Sequence, residues 1–189
     1  MLQCGRSVVI FGMSLATFTV VHVVLSLVGI ASGVLVLLRP SASPKAWGLT
    51  TLFLATTLAA SVTGLLYLLL FPRFGMGHGI AVASLMVFVP TLLALWRHRL
   101  AGPWRAIYVT GAATLLYLNA FIAVMQAFGK VGYLRALPPT TLVSPLVLAH
   151  LLVLAISVWL AIHAFTDLQF GGVPRRNRPR PLRVADRWN

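Results

Sequence analysis

The stretch that decides the fold is residues 8–38, which read VVIFGMSLATFTVVHVVLSLVGIASGVLVLL and contain no Asp, Glu, Lys or Arg. An uncharged apolar run of about 18 or more residues is typical of a membrane-spanning helix, because a helix satisfies its own backbone hydrogen bonds in hydrocarbon. At about 1.5 Å per residue this run is longer than a ~30 Å hydrocarbon core requires. We therefore expect it either to tilt or to begin with an interfacial turn around Gly12.

Four more charge-free runs follow, separated by short segments that contain Arg, Lys, Pro or Gly: residues 47–71, 78–96, 106–128 and 142–165. The sequence therefore predicts an all-α fold, an integral membrane bundle of five transmembrane helices within residues 1–166. Pro90 lies inside the third run and is expected to kink that helix. Residues 167–189 form a basic tail that is expected to be disordered and cytoplasmic.

The composition agrees with a chain that lies almost entirely in the membrane. Hydrophobic residues make up 59% of the chain and charged residues 9%, which leaves no room for a separate globular domain. The net charge of +13 needs no nucleic-acid partner, since spans exclude charge and cytoplasmic loops collect Lys and Arg. The expected partners are the lipid bilayer and anionic headgroups, which attract the tail from Arg175 to Arg187 by about 1 kcal/mol per basic side chain. The single cysteine, Cys4, has no disulfide partner and cannot hold a metal alone.

The positive charges also predict an orientation. With five spans the termini lie on opposite sides, and eleven Lys and Arg residues collect on the carboxyl-terminal side against four on the other. Six of the eleven are in the tail. Cytoplasmic segments carry the excess of Lys and Arg, so the amino terminus is predicted outside and the carboxyl terminus inside the cytoplasm.

Polar side chains at membrane depth are rare and costly, and each one marks a candidate site. His22, Asn119 and His150 lie on three different spans at a common depth, about 10 to 13 Å below the outer surface. Gln126 lies above them, and His78 caps the third span at the outer interface. These five residues are the candidate ligand-binding set.

Three interpretations of this set remain open. His22 and His150 could ligate a haem b axially across the bundle, or His and Asn side chains could hydrogen-bond the carbonyls of a quinone. In the third, His22, Asn119 and His150 bond to one another or to neighbouring carbonyls and hold the helices together, for about 0.6 kcal/mol each. A carboxylate proton relay is excluded, because no Asp or Glu precedes Asp167.

Small residues predict helix packing faces. Gly29 and Gly33 form a small-xxx-small pair, and Thr50, Thr57 and Gly64 recur at seven-residue spacing with Ser61 beside them. Such faces let helix backbones approach closely, within one subunit or between subunits, so self-association is expected. A hydroxyl-lined pore is the functional alternative for the second span. Aromatic residues expected at the membrane boundaries are Trp47, Trp96, Trp104, Tyr108 and Tyr133.

Several short sequence segments, taken together, resemble those of a known group of proteins. They are His22 followed by Gly29 and Gly33, Ser61-Val-Thr-Gly64, Trp104-Arg105 with Tyr108, Tyr117-Leu-Asn119, Gln126-Ala-Phe128 with Lys130, and Pro139-Thr140. Between His22 and about His150 the chain resembles a group of small uncharacterised bacterial inner-membrane proteins, described only as hypothetical or domain-of-unknown-function proteins. The resemblance implies a bacterial multi-span membrane protein and no particular reaction. The chain departs from the group at Leu142-Val-Ser144, where a more polar Glu or Gln is expected.

The leading functional prediction is a binding, structural or accessory protein of the bacterial inner membrane, without catalysis of its own and without an expected cofactor. One alternative is a redox protein that binds haem b or quinone through His22 and His150. Another is a small-molecule carrier, although the first two spans show no convincing repetition in the later ones.

Overall fold

The computed structural model describes residues 9–10, 12–39, 44–70, 75–136 and 144–170. Within these ranges lie two strands of two residues each, five long helices and one short helix. Their bounds are β1 Val9–Ile10, β2 Met13–Ser14, α1 Leu15–Leu38, α2 Pro44–Leu70, α3 Met76–Trp96, α4 Trp104–Lys130, α5 Gly132–Arg135 and α6 Pro145–Phe170. All five long helices are long and apolar enough to cross a membrane. The predicted all-α membrane bundle of five spans is confirmed.

The first helix begins later than the charge-free run. β1 and β2 pair antiparallel around Gly12, whose φ of +79° is readily available only to glycine. Ser14 then caps α1 by accepting a hydrogen bond from the backbone N–H of Thr17 at 3.2 Å. The 24 residues of α1 span about 36 Å. Of the two expectations for this run, the structure shows the turn at Gly12.

The later helices extend two to five residues past the predicted bounds at most of their ends. The charge-free criterion marks the hydrocarbon core, whereas a helix continues into the interface, where charged groups such as Lys130 and Asp167 are solvated. Pro145 starts α6, a position at which the missing N–H costs nothing. Helix α3 runs on through Pro90. The tail, including Arg175 to Arg187, lies outside the described residues.

The first four long helices pack in a ring, with α1 against α2, α2 against α3, α3 against α4 and α4 against α1. Helix α6 lies outside this ring and contacts α4 and α1. Its far side is exposed, with Leu152 and Trp159 among the outward residues. Because those side chains are apolar, this face of α6 suits contact with lipid.

Most of the large buried side chains, though not Phe18, collect at one end of the bundle. They come from the carboxyl-terminal ends of α1, α3 and α6 and from the amino-terminal parts of α2 and α4. We call this end the packed half; its core residues include Leu37, Phe53, Phe88, Leu95, Tyr108, Leu115, Leu116 and Leu160. The opposite end, formed by the other ends of α1 to α4, is the cavity half.

Gly33 shows how close the helices come in the packed half. A Cβ built on Gly33 would lie 2.7 Å from the ring of Phe53 and 3.2 Å from Leu116. Gly29 meets α2 and α4 in the same way. The prediction that this pair forms a packing face is therefore confirmed within the subunit, and self-association stays a prediction.

The boundary aromatic residues divide into two groups. Trp47, Trp96 and Tyr133 are exposed, as expected for rings at the membrane interface. Tyr108 is only 5% exposed, and its hydroxyl hydrogen-bonds Thr50 inside the packed half. This ring therefore faces the core of the bundle, and its position at the membrane boundary stays a prediction.

Candidate functional site

A cavity of about 260 Å³ lies among α1, α2, α3 and α4 in the cavity half and is partly open. Its deepest residues include Ser26 and Asn119, eleven residues from the start of α1 and the end of α4, or about 16 Å along each helix. The polar lining residues are Thr19, His22, Ser26, Thr57, Ser61, Tyr67, His78, Ser84, Asn119, Gln126 and Lys130. The apolar ones are Val23, Ala60, Ile80, Ala81, Leu118 and Ile122, with Gly64 and Gly77.

The charge of this lining is positive and lies at one end of the cavity. Among the described residues that line the cavity, Lys130, the last residue of α4, is the only charged side chain, and it is exposed. These lining residues include no carboxylate to balance a bound cation. The deep part therefore offers neutral hydrogen-bonding groups, and positive charge is confined to the end of α4.

His22 is fixed by a hydrogen bond to the neighbouring helix. Its Nδ1 lies 2.7 Å from Oγ1 of Thr63, and that hydroxyl donates its one proton to the carbonyl of Ala59 at 2.7 Å. Because a threonine hydroxyl has a single proton, it can only accept from His22. We assign the Thr63 proton to the carbonyl of Ala59; with that assignment the neutral imidazole carries its proton on Nδ1, and Nε2 is the acceptor nitrogen.

A second hydrogen-bonded pair joins the same two helices nearer the membrane surface. The hydroxyl of Tyr67 donates to Oγ1 of Thr19 at 2.8 Å, and Thr19 donates to the carbonyl of Leu15 at 2.8 Å. The Tyr67 ring also meets the His22 ring nearly perpendicularly, with centroids 5.8 Å apart. These contacts hold the His22 ring at the wall of the cavity.

Asn119 bonds to the first helix from the other side. Its Nδ2 donates to the carbonyl of Ser26 at 3.2 Å. This approach depends on Gly29, since a Cβ there would lie 2.8 Å from the same nitrogen. The interpretation that polar residues bond to neighbouring carbonyls and join helices is confirmed for Asn119.

Thr57 lines the cavity and is only 2% exposed. Its hydroxyl is buried and has no hydrogen-bond partner among the residues that the structure describes. A buried hydroxyl without a partner costs about 1 to 3 kcal/mol. The cavity half thus contains a polar group whose hydrogen bonding the fold leaves unmet.

His78 and Gln126 lie towards the same end of the bundle as Lys130. The Nδ1 of His78 accepts a hydrogen bond from the backbone N–H of Gly75 at 3.0 Å, which satisfies one of the free donors at the start of α3. Gln126 is exposed and lies one turn before the end of α4. Both side chains line the cavity, together with His22 and Asn119.

His150 is not among the residues that line this cavity. Its Nδ1 lies 2.7 Å from the carbonyl of Leu146 one turn earlier, and its ring packs on Phe121 with centroids 4.2 Å apart. The structure brings four of the five predicted residues together and leaves His150 elsewhere. An axial pair across this cavity would need both imidazoles in its lining, and only His22 lies there. Haem binding by His22 and His150 stays a prediction.

Some site residues were not predicted. Thr19, Tyr67 and Ser84 line the cavity, yet no sequence pattern singled them out. One signal was present for Tyr67, which continues the small-residue stripe of the second span three residues past Gly64. Within the part of the chain that the structure describes, no three His, Cys, Asp or Glu side chains come together to hold a metal ion.

No family model, no curated protein and no solved structure matches the chain. The fold and the cavity define its class: a multi-pass α-helical membrane protein with a polar cavity inside a ring of four spans. The resemblance to small bacterial inner-membrane proteins stays a prediction.

Proposed function

We propose that this protein is a binding protein of the bacterial inner membrane that holds a small amphiphilic ligand in the cavity half, without catalysis of its own. The observation that supports this most is the placement of polar side chains from four spans around one cavity at hydrocarbon depth. Polar groups inside a membrane are costly, and a cavity lined by few convergent polar groups among apolar walls is the usual form of a ligand site.

The two halves of the molecule support a binding role over a purely structural one. In the packed half, large side chains fill the space between the helices. In the cavity half, glycine, alanine and serine leave about 260 Å³ open next to the unpaired Thr57 hydroxyl. Interhelical hydrogen bonds alone need no such volume.

The charge distribution supports an outward-facing site. Arg39, Arg97, Arg99 and Arg105 lie at the packed end, where α6 also ends, and the six remaining arginines of this count follow α6 in the sequence. Under the positive-inside rule the packed half faces the cytoplasm, and the cavity lies in the outer half of the bilayer. The ligand then enters from the outer leaflet or the periplasm.

Binding is tested by mass spectrometry of small molecules that remain with the detergent-purified protein. Ala60→Leu places a larger side chain in the cavity, whereas Ala55→Leu makes the same change on the exposed side of α2. We expect an amphiphile to copurify with the wild type and with Ala55→Leu and to be lost from Ala60→Leu. Equal retention by the two variants would contradict the proposal.

The orientation is tested with single cysteines in a Cys4→Ser background. Gly132→Cys and Ala101→Cys place exposed thiols at opposite ends of the bundle. A membrane-impermeant maleimide should label Gly132→Cys in intact cells with a permeable outer membrane. It should label Ala101→Cys only after the inner membrane is opened, and the reverse pattern would place the cavity on the cytoplasmic side.

A further inference from the structure

We infer that the ligand of this cavity donates a hydrogen bond to Nε2 of His22, as a quinol does and a quinone cannot. The inference rests on the proposed binding function and names the chemical class of the ligand. It follows from which lining groups can still donate a hydrogen bond to a ligand and which can only accept one.

The first step is the state of His22. Its Nδ1–H donates to Oγ1 of Thr63, and the Thr63 hydroxyl donates to the carbonyl of Ala59. The described part of the lining contains no carboxylate that would stabilise an imidazolium, and the positive charge of Lys130 lies at the end of the same cavity. The ring is therefore neutral, and its Nε2 can only accept a hydrogen bond.

The second step is the set of hydroxyls around His22. Ser61 donates its proton to the carbonyl of Thr57 at 2.9 Å, and Thr19 donates its proton to the carbonyl of Leu15. Both oxygens keep lone pairs, so each can act only as an acceptor. The Thr57 proton is uncommitted, but its hydroxyl is covered by protein atoms.

The third step weighs these acceptors against the donors that the lining still offers. Asn119 has a second amide N–H, and the hydroxyls of Ser26 and Ser84 can act in either sense. Gln126 and Lys130 add further donors near the end of α4, away from the deep part of the cavity. A ligand that only accepts can use those donors, but it leaves Nε2 of His22 unpaired at hydrocarbon depth. A ligand hydroxyl satisfies Nε2 and can also accept from Asn119 or a serine, so it uses both kinds of group.

Volume and wall chemistry narrow the class to a ring with few hydroxyls. A cavity of about 150 Å³ holds benzene, so about 260 Å³ has room for a substituted ring. A sugar carries hydroxyls on every side, and the apolar walls formed by Val23, Ile80 and Ile122 would leave several of them unpaired. A dihydroxy aromatic ring has its hydroxyls at two ends and apolar faces between them. Its alkyl or isoprenoid chain can leave through the open side of the cavity.

The test compares decylubiquinol with decylubiquinone, which share one skeleton and differ in hydrogen-bond donors. Affinities are measured by calorimetric titration of the full-length detergent-purified protein under argon. We expect the quinol to bind about five- to tenfold more tightly than the quinone. His22→Phe should lower quinol affinity to about that of the quinone, and His150→Phe, outside the cavity, should leave both affinities unchanged.

The outcomes separate the ligand class from the binding function. Equal affinities, or tighter binding of the quinone, would overturn the inference, and this wild-type comparison stays decisive if His22→Phe does not fold. If neither compound binds but another amphiphile is lost from Ala60→Leu, the ligand class is wrong and the proposed function stands. If neither binds and no copurifying molecule depends on Ala60, both fail.

Discussion

The packed half and the cavity half are built from opposite ends of the same helices and are filled by different side chains. The packed half contains Phe53, Leu37, Leu115 and Leu160, each at most 1% exposed. The cavity half buries mostly small or hydroxylic residues, among them Ser26, Ala60, Ser61, Ala81 and Ser84. Both halves belong to helices that are apolar enough to span a membrane, so the difference is one of volume and hydrogen bonding and not of overall polarity.

This difference separates two roles: the packed half stabilises the bundle, and the cavity half can bind a ligand. In lipid, helix association depends on close packing, because apolar contact with a neighbouring helix gains little over contact with lipid tails. The packed half supplies that packing at one end. The other end can then keep polar groups and open volume, both of which cost stability and are useful to a ligand.

The largest expected effect comes from emptying the packed half. Phe53 is 0% exposed, and Phe53→Ala should lower the free energy of unfolding by about 3 to 5 kcal/mol through lost contacts and a new cavity. Steric-trap unfolding in bicelles measures this change. Leu52→Ala is the control, since Leu52 is 43% exposed on the same helix. If the two variants lose equal stability, the packed half does not hold the bundle together.

Filling the space at Gly29 is the next test. In Gly29→Ala the new methyl group would contact Nδ2 of Asn119 and Oγ1 of Thr56, at 2.8 and 3.3 Å. Such overpacking costs about 1 to 3 kcal/mol. Gly48→Ala is the matched control, because nothing lies within 4 Å of a Cβ at that exposed position. A thermal midpoint unchanged in Gly29→Ala would show that α1 and α4 are not in close contact there.

Removing the unpaired hydroxyl of Thr57 should raise the free energy of unfolding, whereas the two preceding substitutions should lower it. Thr57→Val keeps the shape of the side chain and removes a buried hydroxyl that has no partner, so we expect the ligand-free protein to gain about 1 kcal/mol. Thr56→Val is the control, since the Thr56 hydroxyl donates to the carbonyl of Leu52 at 2.7 Å. A loss of stability in Thr57→Val as large as in the control would mean that its hydroxyl is paired.

The sequence predicted the spans well and the site only in part, and the reasons differ. A charge-free run reports the length of hydrocarbon that a helix crosses, and this fixes the five spans. It does not report which face of the helix turns inward, because faces towards lipid and towards the core are both apolar. The sequence therefore predicted a depth for His22 and His150, but the rotation of each helix about its axis could not be inferred.

Hydrogen-bonding partners on neighbouring helices also could not be predicted from the sequence. Asn119 was recognised as a candidate from its depth alone, and its bond to the carbonyl of Ser26 depends on the close approach at Gly29. Tyr67 looked like one more aromatic residue near the end of a span. Its role became visible only when α1 and α2 were seen to place Thr19 within 2.8 Å of its hydroxyl.

The smallest expected effect concerns this bond between Tyr67 and Thr19. Tyr67→Phe removes the donor and keeps the ring, so the loss should be close to the average of about 0.6 kcal/mol for such bonds in membrane proteins. A double-mutant cycle with Thr19→Val isolates the pair, because the second substitution should cost little once the first has been made. A coupling energy near zero would mean that the bond does not join α1 to α2. Those helices would then be held mainly by the packed half, and the cavity half would be more loosely closed than its hydrogen bonds indicate.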